Sequence, residues 1–120
     1  MDILNKIKFL DKLSLSDMPS VRFFQTDATR YAILLIIFEK FYKKELISIE
    51  GIIEKLPKNI SSRAHQLSFL KSADLKGYLI KEISKSDNRI KYLKPSLNLA
   101  RDFKTHTDLF NQFLKDTKDH

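Results

Sequence analysis

Residues 46–95 read LISIEGIIEKLPKNISSRAHQLSFLKSADLKGYLIKEISKSDNRIKYLKP, and the fold class is predicted mainly from this segment. A very short extended segment, ELISI, leads into a helix whose N-cap is Ser48. The apolar side chains of this helix recur at the i, i+3, i+4, i+7 spacing of one buried stripe: Ile49, Ile52, Ile53 and Leu56. The PKNIS segment then breaks the pattern, because proline and asparagine favour a turn. The sequence therefore predicts a short helix followed by a turn.

A second short helix follows this turn. Ser61 or Ser62 supplies its N-cap, and the helix is expected to run to about Lys76. Gly77 suits the left-handed C′ position that commonly ends a helix. Placed 100° apart around the helix axis, one set of side chains lies toward the core: Leu67, Phe69, Leu70 and Ala73. The opposite face carries Ala64, His65, Ser68, Lys71 and Ser72.

Two short strands complete the stretch. Tyr78–Lys85 and Ile90–Leu93 alternate apolar with polar or charged residues, which is typical of strands with one covered face. The SDNR segment between them is a turn. Two short helices joined by a turn and followed by a β-hairpin have the connectivity of a winged helix-turn-helix.

Helical patterns also precede this stretch. We expect an amphipathic helix over about residues 2–13 and a loop around Pro19. Thr26 and Asp27 supply N-cap chemistry for a helix from about Ala28 to Lys44. The AILLIIF centre of that helix is apolar almost all round, which predicts the central core helix.

A last helix follows the hairpin, and it opens at Pro95 and Ser96. The predicted fold is therefore mostly α with a small β-hairpin wing (α+β). We expect a single winged-helix domain over residues 1–120, with a central lobe at 26–95 and terminal helices within 1–20 and 96–120.

Positive charge is concentrated in one third of the chain. Residues 55–94 hold ten basic and three acidic side chains and carry the whole net charge of +7, whereas the other 80 residues hold twelve of each sign. A local basic field of this kind is typical of nucleic-acid binding. The alternative is a solvated lysine-rich face, since Lys outnumbers Arg seventeen to five.

Other classes of function find little support. The absence of cysteine excludes disulfides and cysteine-ligated metal sites. The longest apolar run, Ala32–Phe38, has seven residues. A helix that crosses a membrane needs about 20 apolar residues. Residues 1–13 lack a secretory pattern, so we expect a cytoplasmic protein. His106 lies four residues after Asp102 without a third metal ligand, and no nucleophile or phosphate-loop motif occurs. We therefore expect neither an enzyme nor a cofactor.

Between about Ser48 and Phe103, the order of these signals resembles the multiple-antibiotic-resistance regulator (MarR) class of bacterial winged-helix repressors. Three groups of residues carry the resemblance: Gly77, Tyr78 and Leu79 after the second helix, Asp87, Asn88 and Arg89 at the hairpin turn, and Lys94, Pro95 and Ser96 before the last helix. Gln66 departs from it, because the family usually has an apolar residue eleven positions before the glycine. The resemblance implies a transcriptional regulator that binds double-stranded DNA.

In such a protein the second helix of residues 46–95 is the recognition helix, which enters the major groove. There Arg can pair with guanine and Gln with adenine, while Ser and backbone N–H groups hold phosphate. We therefore expect DNA contacts from Ser61, Ser62, Arg63, His65, Gln66 and Ser68. The alternatives are that the serines only cap the helix and that His65 is an exposed bystander.

On the wing, the expected DNA contacts are Lys85, Asn88, Arg89 and Lys91. Arg89 can reach the minor groove or hold a phosphate, with the two lysines beside it. The family resemblance implies that Asp87 can pair with Arg89 and position it. The alternative is a solvated turn that needs Asp and Asn only for its backbone shape.

The terminal helices offer more apolar surface than a winged domain of this size needs. The residues concerned are Ile3, Leu4, Ile7, Leu10, Phe103, Phe110, Phe113 and Leu114. The resemblance implies that they build a homodimer, which would place two recognition helices about one DNA turn apart. The alternative is that they pack on the Ala32–Phe38 helix of the same chain.

The resemblance also allows a small-molecule effector, for which only general apolar residues are candidates: Phe23, Phe24 and Tyr31. Two other functions fit the same pattern. A winged helix used for protein–protein contact predicts no salt-dependent affinity for DNA. A DNA binder in replication or plasmid maintenance would differ from a regulator only in its genomic neighbourhood.

Overall fold

The computed structural model describes residues 3–5, 7, 8 and 18–118. Residues 18–118 form five helices and two strands, in the order α1 Pro19–Phe24, α2 Ala28–Tyr42, α3 Ile49–Lys55, α4 Arg63–Leu75, β1 Leu79–Ile83, β2 Lys91–Pro95 and α5 Leu97–Lys118. The mostly helical fold with one antiparallel hairpin confirms the predicted fold class. Among the described residues, none of the helices has the length and hydrophobicity of a membrane span.

The helix α1 replaces the loop that was predicted around Pro19, so that part of the prediction was wrong. Proline is well tolerated at the start of a helix, because the first N–H groups have no intrahelical partner. Burial of Val21 and Phe24 against the core stabilises this single short turn. Residues 3–5, 7 and 8 are helical, as predicted, and the rest of the segment 2–13 lies outside the described residues.

The helix α2 lies at the centre of the core, as its apolar sequence predicted. Asp27 caps it, since the backbone N–H of Arg30 donates to the Asp27 carboxylate at 2.9 Å. Ile33 and Leu34 are fully buried, and so are Ile37 and Phe38 one turn later. The burial is confined to one side, however, because Leu35 is 45% exposed.

A helix-turn-helix is formed by α3 and α4. The Ser48 hydroxyl accepts a hydrogen bond from Gly51 N at 3.0 Å, which confirms the predicted N-cap of α3. Ser62, rather than Ser61, caps α4, because its hydroxyl accepts from His65 N at 3.1 Å. At the far end Gly77 has a φ of +78°, the left-handed conformation expected after a helix.

The hairpin of β1 and β2 pairs Leu79 with Pro95 at its base and Ile83 with Lys91 toward its tip. A third segment lies beside β2, since Leu93 N donates to Ile47 O at 3.0 Å. Leu79, Leu93 and Pro95 are buried at the base. Ile83 is 57% exposed, so the outer part of the hairpin projects from the core as a wing.

The helix α5 packs its first turns on the same core. Ser96 caps it by accepting from Leu99 N at 3.1 Å, and Leu99 is fully buried. The Phe103 ring stacks on Phe38 with centroids 3.9 Å apart, and Phe103 is only 6% exposed. The prediction that Phe103 serves dimerisation therefore conflicts with its position, which is the core of its own chain.

The other residues predicted for dimerisation lie farther from that core. Phe110 is 43% exposed, Phe113 is 9% exposed and Leu114 is half-buried. In the N-terminal segment the side chains are exposed: Ile3 by 73%, Leu4 by 55% and Ile7 by 57%. Leu10 lies outside the described residues.

Candidate nucleic-acid interface

The helix α4 separates a buried face from an exposed one. Phe69, Leu70 and Ala73 are buried, as predicted, and hold the helix on the core. Leu67 is 37% exposed, which corrects its prediction as a core residue, because it lies at the edge of the helix that faces the hairpin. The exposed face carries Ser62, Arg63, Ala64, His65, Ser68 and Lys71. A polar, basic helix face is thus presented to solvent at the first turns of α4.

A buried polar cluster braces the start of α4. The Gln66 amide donates to the Ser61 carbonyl at 3.1 Å and to the Ser61 hydroxyl at 3.2 Å. The Thr29 hydroxyl of α2 donates to the same Ser61 hydroxyl at 3.0 Å. Gln66 is only 6% exposed, so its predicted contact with a base does not fit its position. Gln66 and Ser61 instead fasten the turn before α4 to α2, because buried polar groups require partners.

Arg63, the first residue of α4, is held by a carboxylate from α3. Its Nη1 donates to Glu50 Oε2 at 3.0 Å, and its Nη2 donates to Glu50 Oε1. This bond raises the pKa of Arg63 and lowers the pKa of Glu50, since each partner stabilises the charge of the other. The side chains are 56% and 60% exposed, so the pair lies on the surface that α4 presents.

A second bidentate pair forms at the tip of the wing. Arg89 Nε donates to Asp87 Oδ1 and Arg89 Nη2 donates to Asp87 Oδ2, each at 3.1 Å. The Asp87 carboxylate also accepts from the backbone N–H of Arg89 at 3.0 Å, and these hydrogen bonds lower its pKa. Asp87 therefore shapes the turn and orients Arg89, whose side chain is 90% exposed. Asn88 is exposed beside them.

The lysines around this surface are less constrained than the two arginines. All three acids of residues 55–94 are in ion pairs: Asp74 with Lys81, Glu82 with Lys94 and Asp87 with Arg89. Within the described part of the chain, five exposed lysines of that segment form no ion pair, hydrogen bond or ring contact: Lys55, Lys58, Lys71, Lys85 and Lys91. Much of the positive charge of the lobe is thus carried by lysines that pair with no carboxylate of the described residues.

A groove of about 400 Å³ joins α4 to the hairpin. Lys71 of α4 and Lys81 and Lys91 of the two strands line it, and Leu67 and Leu93 form part of its floor. Asp74, the ion-pair partner of Lys81, lines it as well. Because these lysines come from both elements, basic side chains of the helix and of the wing meet at this groove. The surface of α4 and the wing around it is the candidate interface.

The buried histidine lies away from that surface. His106 is 5% exposed, and a hydrogen bond of 3.2 Å joins its Nε2 to the Tyr31 hydroxyl. Desolvation by burial lowers the pKa of His106. Asp102 accepts from the Ser20 hydroxyl at 2.7 Å. Among the described residues no group of three His, Cys, Asp or Glu side chains could hold a metal ion.

The aromatic residues considered for an effector pocket pack into the interior. Phe24 is fully buried, and Phe23 stacks on Phe69 with centroids 5.1 Å apart. Tyr31 is partly buried against His106. These contacts give the three rings a structural role, since they join α1 to α4 and α2 to α5.

Two residues of the interface were missed by the sequence analysis. Glu50 was absent from the predicted site because a single acid in the first turn of α3 is ordinary helix chemistry. Thr29 was missed because it lies 32 residues from Ser61. Both contacts depend on how the helices are packed, and no local pattern signals them.

Comparison with known proteins places this geometry in a known fold. No family model and no curated protein sequence matches the chain. A structure described as a MarR-like transcription regulator from Bacillus cereus is similar with a TM-score of 0.57 at 13% identity, over 93% of this chain and 76% of that one. A transcriptional regulator from Thermotoga maritima gives 0.61 at 17%, over 98% and 76%. The adhesin competence repressor of Streptococcus pyogenes gives 0.56 at 16%, over 97% and 74%. The chain therefore has the winged-helix fold of MarR-like transcription regulators.

Proposed function

We propose that this chain, which folds as MarR-like regulators do, is a sequence-specific transcriptional regulator that binds double-stranded DNA as a homodimer. The observation that supports the proposal is the basic surface of α4 and the wing, whose groove is lined by Lys71, Lys81 and Lys91. Lys71 and Lys91 form no ion pair with a described residue, so they can neutralise phosphates and release counterions, which supplies a large share of the affinity for a duplex.

The first turns of α4 are the part that reads the sequence. A recognition helix enters the major groove with its N-terminal residues toward the bases. Arg63 and His65 are exposed there, and Ser68 follows on the same face. Arg63 is the residue that pairs with a base, since its guanidinium matches the two acceptors of guanine. Ser62 and the free N–H groups of the first turn hold a phosphate.

The wing contacts the backbone or the minor groove beside the helix. Arg89 extends from the tip with its guanidinium oriented by Asp87. Lys85 and Lys91 are exposed along the same hairpin, and Asn88 lies at the turn. Such contacts fix the position of the protein on the duplex and carry little sequence information of their own.

The homodimer is supported by apolar side chains outside the lobe. Ile3, Leu4, Ile7 and Phe110 are each more than 40% exposed. Exposed apolar surface of this kind on a small domain marks an interaction site. A two-fold dimer would present two copies of α4 and require a pseudo-palindromic DNA site.

The test is a selection of binding duplexes from a random pool, followed by affinity measurements on Arg63→Ala. We expect an inverted-repeat site and a loss of about 10–100-fold in affinity for Arg63→Ala, the range for one bidentate base contact. Arg101→Ala is the matched control, because it removes the same charge from an exposed position on α5. Equal behaviour of the two variants, or no enriched duplex, would contradict the proposal.

A further inference from the structure

The contact between Glu50 and Arg63 uses only part of the guanidinium. Glu50 accepts from Nη1 and Nη2, the end of the group farthest from the backbone. A guanidinium has five N–H donors in a fixed planar fork, so two of them are engaged and three are not. Within the described part of the chain, Arg63 Nε donates to no protein acceptor.

The three remaining donors include the pair that a guanine needs. Nε–H and the adjacent Nη–H point in the same direction along one edge of the guanidinium plane. Guanine O6 and N7 accept two such parallel hydrogen bonds in the major groove. Glu50 can therefore keep its two hydrogen bonds while Arg63 pairs with a base.

We propose that Glu50 is a positioning residue that holds one edge of the Arg63 guanidinium, leaves the other edge for guanine, and thereby sets the sequence preference of α4. The inference rests on the proposed DNA-binding function. Glu50 acts in two ways. It fixes the otherwise flexible side chain of Arg63, which reduces the entropy lost when Arg63 binds the guanine. Its negative charge also keeps Arg63 away from phosphates, because a carboxylate repels them.

A matched pair of variants separates this role from a change in net charge. Glu54 lies one helical turn after Glu50 on α3 and is exposed, and its side chain forms no hydrogen bond or ion pair with another described residue. Glu50→Gln and Glu54→Gln therefore remove the same charge from the same helix. Since the Arg63–Glu50 pair is exposed, both variants are expected to stay folded, which circular dichroism checks.

The experiment measures the affinity of each variant for two duplexes over a range of NaCl concentrations. One duplex is the site selected by the wild-type protein, and the other is a scrambled sequence of the same composition. For Glu54→Gln we expect a slight, equal tightening on both. For Glu50→Gln we expect weaker binding to the selected duplex by about 2–5-fold and tighter binding to the scrambled one. The salt slope on the scrambled duplex should steepen by about 0.9, which corresponds to one more neutralised phosphate.

Two further variants locate the effect on Arg63. In an Arg63→Ala background, Glu50→Gln should behave as Glu54→Gln does, because no guanidinium remains to be positioned. Arg63→Lys keeps the charge but lacks the fork, so it should lower the ratio of the two affinities as Glu50→Gln does. An unchanged ratio in Glu50→Gln, or the same loss with and without Arg63, would overturn the inference.

The same measurements separate the positioning role of Glu50 from DNA binding itself. If the wild-type protein shows no salt-dependent affinity for any duplex, both are wrong. If it binds the selected duplex with a steep salt dependence and Glu50→Gln matches Glu54→Gln, DNA binding stands and the positioning role of Glu50 is excluded.

Discussion

The junction of α2 with α5 and the surface of α4 with the wing use side chains in opposite ways. At the junction, Phe38 and Phe103 are almost fully buried and stacked on each other. On the surface, Arg63 and Arg89 are 56% and 90% exposed, and both are held by carboxylates. Dispersion and burial hold the side chains of the first region in place, whereas ion pairs orient the arginine side chains of the second. We therefore expect changes at the junction to alter folding and changes on the surface to alter binding.

The largest expected effect lies at the junction. Phe103→Ala should lower the free energy of unfolding by about 3–5 kcal/mol, because the lost ring leaves a cavity beside Phe38. Urea denaturation measures this loss. Leu35→Ala, at a 45% exposed position of α2, is the control and should cost much less. Similar losses in the two variants would contradict the burial difference.

A variant of Gln66 tests whether this residue contributes to folding or to DNA recognition. Gln66→Ala should lower the free energy of unfolding by about 1–3 kcal/mol, because the half-buried Ser61 would lose the amide that donates to its carbonyl and hydroxyl. The base preference of the folded protein should not change, since Gln66 is buried. Denaturation together with duplex selection checks both. Intact stability with an altered base preference would instead support the original prediction that Gln66 reads DNA.

The buried histidine should make the stability of the junction depend on pH. Because the pKa of His106 is lowered in the folded protein, the unfolded chain binds its proton more readily. Stability should therefore be complete above the ordinary pKa of about 6.5 and decrease as the pH falls below it, by at most about 1.4 kcal/mol per pH unit. Denaturation at several pH values measures the slope.

His106→Gln is the control for this dependence. It removes the titrating group, and the slope between neutral and mildly acidic pH should become shallower. An identical slope in the variant and the wild type would show that His106 does not control acid stability.

The smallest expected effect lies at the tip of the wing. Asp87→Ala removes an exposed ion pair, so the free energy of unfolding should barely change. DNA affinity should fall by about 2–5-fold, because Arg89 would no longer be oriented by the carboxylate. Glu82→Ala, which removes another paired acid of the hairpin away from the turn, should tighten DNA binding slightly instead. Equal changes in the two variants would show that Asp87 acts through its charge alone and does not orient Arg89.

The sequence predicted well the features that local chemistry determines. Ser48 and Asp27 cap helices because their side chains accept from the backbone three residues later, which spacing alone reveals. Gly77 ends α4 in the left-handed conformation that glycine tolerates best. These rules need no knowledge of which elements touch.

Features that depend on packing between distant elements were not predicted. Pro19 was assigned to a loop, because only the burial of Val21 and Phe24 makes α1 stable. Gln66 lies inside because Ser61 accepts its amide there, and Glu50 meets Arg63 across 13 residues of sequence. The order of the helices and strands that form the interface could thus be predicted from the sequence, whereas the hydrogen-bond partners of its side chains could not.

The salt dependence of duplex affinity is the most direct test of DNA binding by the surface of α4 and the wing. The logarithm of the association constant, measured against the logarithm of NaCl concentration, should fall linearly, with a slope of about −0.9 for each phosphate that is neutralised. The double variant Lys71→Gln and Lys91→Gln should make that slope shallower by about 1.8, which corresponds to two phosphates that are no longer neutralised. Both lysines line the groove between α4 and the wing. A flat dependence in the wild type, or an unchanged slope in the double variant, would contradict the claim that this surface binds DNA.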